Sequence, residues 1–186
     1  MKVSAFFVQV FLFGSALSSL VVDNDDISIW TIPDGAVDTE VASTIPGAGL
    51  IGGGSDCVKA FEWQISHANK GDFVILRASG ADDYNDFVYD LSKLSNQTLN
   101  SVTTILFKNK NGSYDSTVQS LLQNAEAIFF AGGDQNNYIN FWTSTPVQTI
   151  VQDKLKSVTI AGTSAGLAIQ GNWIYRFVVS FHIASN

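Results

Sequence analysis

Apolar, often β-branched runs alternate along this chain with segments of helical periodicity. The stretch "ISIWTI" (residues 27–32) predicts a strand, and "GAGLIGGGS" (47–55) carries a short apolar run into a glycine loop. In "SDCVKAFEWQISHANKG" (55–71), Val58, Phe61, Ile65 and Ala68 recur near helical spacing. Ser55 or Asp56 is available there as N-cap and Gly71 as the stop. The unbroken apolar run "DFVILRAS" (72–79) is of the kind buried on both faces of a parallel sheet. A polar loop, "GADDYND", then leads into a predicted helix over residues 87–94. "SVTTILF" (101–107) predicts a strand and "STVQSLLQNA" (116–125) a helix. "AIFFAGGDQ" (127–135) reads as a strand running into a glycine loop. Helices are predicted in "QNNYINFWTS" (135–144) and "TPVQTIVQDKLKS" (145–157), where Pro146 suits a first turn. "VTIAG" (158–162) closes the series as a strand.

Strands alternating with helices imply a three-layer α/β domain with a mostly parallel sheet. Ligands of such sheets bind beyond the carboxyl ends of the strands. Three glycine clusters fall at strand ends: Gly52 to Gly54, Gly132 and Gly133, and Gly162 with Gly166. We expect them to converge on one edge of the sheet.

The third cluster, Gly162-Thr163-Ser164-Ala165-Gly166, matches the pattern G-x-S-x-G. Small flanking residues let the chain turn sharply from strand to helix, so that a serine hydroxyl stands exposed. The N–H of the following residue, Ala165, then faces a developing oxyanion. The alternative is a structural glycine turn that happens to hold a serine. The strand before Ser164 and the helix-prone "AGLAIQ" after it favour the nucleophile. In "AGGDQ", a backbone N–H at Gly133 is the candidate second oxyanion donor, and Gln135 a candidate substrate-orienting group, with Gly53 and Gly54 beside them. Asp134 reads first as an N-cap.

Charge and composition narrow the setting. The 186 residues are 46% hydrophobic and 15% charged, which fits one packed domain rather than disorder. A net charge of −7 without a basic cluster opposes nucleic-acid binding and sits more easily with a cationic or neutral substrate. Lys2, the apolar residues 5–13 and the small residues 14–19 have the three-part order of a secretory signal, predicting a secreted product with residues 1–19 as leader. No other run approaches membrane-spanning length, so no membrane partner is expected. Asn96 and Asn111 open N-glycosylation sequons. Cys57 is the one cysteine, so no internal disulfide is available, and it reads as a small core residue. No metal-ligand cluster and no cofactor fingerprint is evident. Arg77 ends a strand and reads as a surface residue, and His67, near a helix end, reads as solvated.

"AIFFAGGDQ" followed by "IAGTSAGLAIQG", with "GAGLIGGG" upstream, resembles the cyanophycinase / dipeptidase E family of serine peptidases over residues 45–175. The resemblance implies a flavodoxin-like, class I glutamine-amidotransferase-like fold. It implies Ser164 as nucleophile, N–H groups at Gly133 and Ala165 as oxyanion hole, and Gln135 in substrate binding. The implied substrates are peptides or β-aspartyl-type amides. The family also supplies a histidine and an acid well downstream of its serine. Here 22 residues follow Ser164, with one histidine, His182, and no acid. His182 lies in an apolar tail (176–186) unlike the family, so we expect a chain incomplete at its C-terminus, with an uncovered sheet edge and a tendency to associate. Two other readings stay open: a non-catalytic binding protein that keeps the pocket, and an α/β-hydrolase esterase, which the missing acid opposes equally.

Overall fold

The computed structural model describes residues 17–39, 41 and 43–175. The expected leader up to residue 16, the tail 176–186 and His182 lie outside the described residues.

Among the described residues seven strands form one sheet: β1 (Ser19–Asp23), β2 (Ile27–Ile32), β3 (Gly47–Ile51), β4 (Asp72–Arg77), β5 (Ser101–Phe107), β6 (Ala127–Phe130) and β7 (Thr159–Thr163). Their order is β1-β2-β5-β4-β6-β7-β3. The five strands from β5 to β3 are parallel, and β1 and β2 join antiparallel at the far edge. The helices are α1 (Val58–His67), α2 (Asp83–Leu94), α3 (Ser116–Asn124), α4 (Gln135–Trp142), α5 (Pro146–Lys154) and the short α6 (Ala165–Ala168).

Side-chain alternation along the strands divides the core in two. Val74, Leu76, Ile128 and Ile160 pack with α3, α4 and α5 through Val118, Leu122, Tyr138, Trp142 and Val147. Phe73, Ile75 and Phe129 face the other way, onto Phe61 and Ile65 of α1 and Val88 of α2. The result is the expected three-layer α/β arrangement.

The structure extends or corrects several expectations. β1 has no counterpart in the predicted series; its Leu-Val-Val core folds back on β2 through a turn in which Asn24 Oδ1 accepts the N–H groups of Asp26 and Ile27, both at 2.9 Å. α2 begins at Asp83 rather than Phe87, with Asp83 and Asp86 in its first turn where the helix dipole favours acids. Cys57 is exposed rather than in the core, because it sits at the N-cap of α1 outside the helix's buried stripe. Asp56 does not cap that helix; it accepts the Tyr84 hydroxyl at 2.9 Å, tying the loop after β3 to α2. The Arg77 side chain is 11% exposed rather than a surface group. It donates to the carbonyls of Ser79 and Ala81 and pairs with Asp83, so its charge is used within its own loop.

Candidate active site

β3, β6 and β7 are neighbours, so the loops leaving their carboxyl ends meet as expected. A Cβ at Gly53 would lie 3.2 Å from Ser164 Cβ, and one at Gly132 would lie 3.6 Å from it. The Ser164 N–H donates to the Ile51 carbonyl at 3.2 Å, and Thr163 Oγ1 to the Gly52 carbonyl at 3.2 Å. These bonds bind the β3 loop to the turn that carries the serine.

Ser164 joins β7 to α6 with φ 54° and ψ −115°. That backbone is one L residues rarely adopt. It turns the serine outward: Ser164 is exposed, whereas Thr163 and Ala165 on either side are buried. The flanking glycines are required by contact. A Cβ on Gly162 would come within 2.6 Å of the Gly166 carbonyl carbon, and one on Gly166 within 2.7 Å of the Ala131 carbonyl oxygen. The Ser164 carbonyl accepts the N–H groups of Leu167 and Ala168 at 3.1 and 3.0 Å. The Ala165 N–H belongs to the first turn, whose donors have no intrahelical acceptor.

Gly133 lies in the neighbouring loop with φ 148°, and Asp134 caps α4 by accepting the Asn136 N–H at 2.8 Å. Gln135 is the first residue of α4, and its Nε2 donates to the Tyr175 carbonyl at 3.2 Å. Gly54 (φ 105°) has open space where a Cβ would stand.

Sequence reasoning passed over Tyr138. Its hydroxyl donates to the carbonyls of Ala131 and Gly132 at 2.8 and 2.9 Å, directly beneath the glycine pair. Burial pushes the phenol up to about 12, so the hydroxyl keeps its proton at neutral pH. The available signal was the spacing of Tyr138 and Trp142 on one face of α4, which reads only as core packing.

His67, the one histidine among the described residues, is at the other end of the sheet. Its carbonyl accepts the Ile45 N–H at 3.2 Å, ahead of β3, whereas Ser164 meets Ile51 at the strand's far end. Five strand residues separate those ends by roughly 15 Å. His67 is half-buried rather than solvated, its Nδ1 donating to the Trp63 carbonyl at 2.7 Å. Asn96 is exposed in a left-handed turn with Thr98 also exposed, but in the second sequon Ser113 is buried, its hydroxyl donating to the Phe141 carbonyl at 2.8 Å. Among the described residues no group of His, Cys, Asp and Glu is arranged to hold a metal ion.

The family model for peptidase family S51 matches residues 50–178, which takes in all three glycine loops and Ser164. The chain belongs to peptidase family S51. Cyanophycinases of Trichormus variabilis and of a Nostoc species are each 36% identical to it over 59 residues, 31% of this chain and 20% of theirs. A crystal structure of a peptidase from an acI-B1 Actinobacterium superposes with a TM-score of 0.56 at 17% identity, over 70% of this chain and 59% of that one. The fold of this S51 chain is thus shared with a solved peptidase. The stretch aligned with the cyanophycinases spans a fifth of their length.

Proposed function

We propose that this chain carries the nucleophile of a secreted serine-type S51 peptidase acting on peptide or β-aspartyl-type amide bonds. Ser164 Oγ attacks the scissile carbonyl carbon, and the N–H groups of Gly133 and Ala165 hold the resulting oxyanion. Gln135, Gly53 and Gly54 border the substrate. The observation that carries this reading is the Ser164 backbone, φ 54° and ψ −115°, exposed between two glycine loops. A position that strained is retained where the surroundings demand it.

Attack also requires a base to take the hydroxyl proton. Among the described residues His67 is too distant, so the reading requires an imidazole from outside them. That need favours a second reading, a binding protein that keeps the pocket without turnover. A fluorophosphonate probe separates the two. Labelling that disappears in Ser164→Ala supports the peptidase, and a folded wild-type chain that stays unlabelled supports the binding protein. Secretion follows from the expected leader; release into medium of a chain shortened by about 19 residues, with an endoglycosidase-sensitive glycan lost in Asn96→Gln, supports it.

A further inference from the structure

The "AGGDQ" loop presents its glycines beside Ser164, but something must decide which way their peptide groups face. All peptide bonds among the described residues are trans except Ile32–Pro33. In a trans peptide the C=O and the N–H of the next residue point in opposite directions. The carbonyls of Ala131 and Gly132 both point at the Tyr138 hydroxyl, 2.8 and 2.9 Å away. Their partners across the peptide plane, the N–H groups of Gly132 and Gly133, therefore point away from the core. Neither N–H has a hydrogen-bond partner among the described residues.

Tyr138 is well anchored for such a task. It is 1% exposed, and its ring stacks on Trp142 with centroids 4.4 Å apart and planes 8° from parallel. A Cβ at Gly133 would stand 3.3 Å from the Tyr138 hydroxyl and 3.2 Å from Ser79 Oγ, and φ there is 148°. The turn thus runs between a fixed donor below and Ser164 beside it, with glycine required at the point of contact.

We propose that Tyr138 is a positioning residue: one buried hydroxyl, shared by two successive carbonyls, aims the Gly132 and Gly133 N–H groups outward as oxyanion donors. This rests on reading Ser164 as the nucleophile. Without the hydroxyl a buried and a part-buried carbonyl lose this donor, and the peptide units are free to rotate.

The test compares wild type with Tyr138→Phe, using Tyr89→Phe as a control that removes the hydroxyl of a buried tyrosine on α2, away from the loop. Two readouts are taken on each: amide resonances and hydrogen exchange of Gly132 and Gly133 in 15N-glycine-labelled protein, and the rate of labelling by a fluorophosphonate. Tyr138→Phe should melt cooperatively, shift both glycine amides and lower the labelling rate on the order of tenfold to a hundredfold. Tyr89→Phe should change neither. Unshifted amides with an undiminished labelling rate in Tyr138→Phe would overturn the proposal. If wild type is not labelled, the nucleophile reading fails by itself, and the amide readout alone decides whether Tyr138 sets the loop. If Tyr138→Phe does not fold, a fluorinated tyrosine at 138 replaces it. Titrating its more acidic hydroxyl should move both amides, and amides that stay fixed overturn the proposal.

Discussion

A Cβ at Gly53 would stand 3.3 Å from the Ser164 hydroxyl oxygen. That is closer than side chains ordinarily approach, so the loop after β3 bounds the space in which this hydroxyl turns. Gly53→Ala should slow fluorophosphonate labelling severalfold while changing stability by less than about 0.5 kcal/mol, since the site is exposed. Labelling kinetics and denaturant titration on the same preparation check both halves.

Gly166 presents the opposite case. A Cβ there would collide with the Phe130 carbonyl oxygen and sit 2.7 Å from that of Ala131, both backbone atoms of the β6 end. Backbone cannot yield as a side-chain tip can. Gly166→Ala should destabilise the fold by about 2–4 kcal/mol, measured by chemical denaturation.

Ser164 holds a positive φ without being glycine. Such a conformation costs on the order of 1–3 kcal/mol. Ser164→Gly should therefore raise the melting temperature while abolishing labelling, whereas Ser164→Ala should abolish labelling without that gain. Equal melting temperatures for the two variants would show that no strain resides there.

Asp72 and Glu126 predict an unusual pH response. Burial first, with the Asp38 carboxyl beside it, pushes the Asp72 carboxyl up against the lowering bonds from Ser101 and Asn100. Burial first, then the Asp72 charge, pushes Glu126 up, although it accepts the Asp72 N–H. Lys154 faces the same cluster and is itself lowered by burial. Both acids hold protons more tightly folded than unfolded, so stability declines as pH rises through their raised folded values and is gained on acidification. Asp23, lowered by Lys108 and Ser28, works the other way, losing its contribution as pH falls through its depressed folded value. The melting temperature should rise as the pH is lowered from 7 through the raised folded values of these two acids, and Asp72→Asn should flatten that rise and be the more stable protein at pH 7. A melting temperature that only falls over this interval in both proteins would refute it.

Leu50 is 66% exposed on β3, an edge strand of the sheet among the described residues. With Ile160, Phe130, Trp142 and Val151 it lines a cavity of about 590 Å³ on the face that α4 and α5 cover. An exposed apolar side chain on an edge strand promotes association. Leu50→Lys should shift the chain toward monomer in light scattering at equal concentration, with its melting temperature nearly unchanged.

Much of this was legible along the chain. β5 spans Ser101–Phe107 as expected, a β-branched run, and β4 and β6 fall within the runs that predict them, because strands buried on both faces leave long apolar or β-branched sequence. The G-T-S-A-G turn was legible because its glycines answer a local need for close backbone contact. β1 was not, because a short apolar run becomes a strand only when a partner lies alongside. The start of α2 was not, because its first turn is built of acids that read equally as loop. Arg77 read as a surface group because its carbonyl partners are assembled by a turn that sequence pattern does not describe.

The sequence by itself determined most of the element series, which follows from periodicity, the family resemblance, which its two glycine motifs carry, and the serine and glycine types at the candidate site, which follow from local backbone requirements. Only the tertiary structure decided which loops meet at Ser164, that His67 stands at the opposite end of the sheet, and that Tyr138 lies under Gly132 and Gly133. Those relationships depend on strand order and on contacts between distant segments, and neither leaves a period or a spacing in the chain.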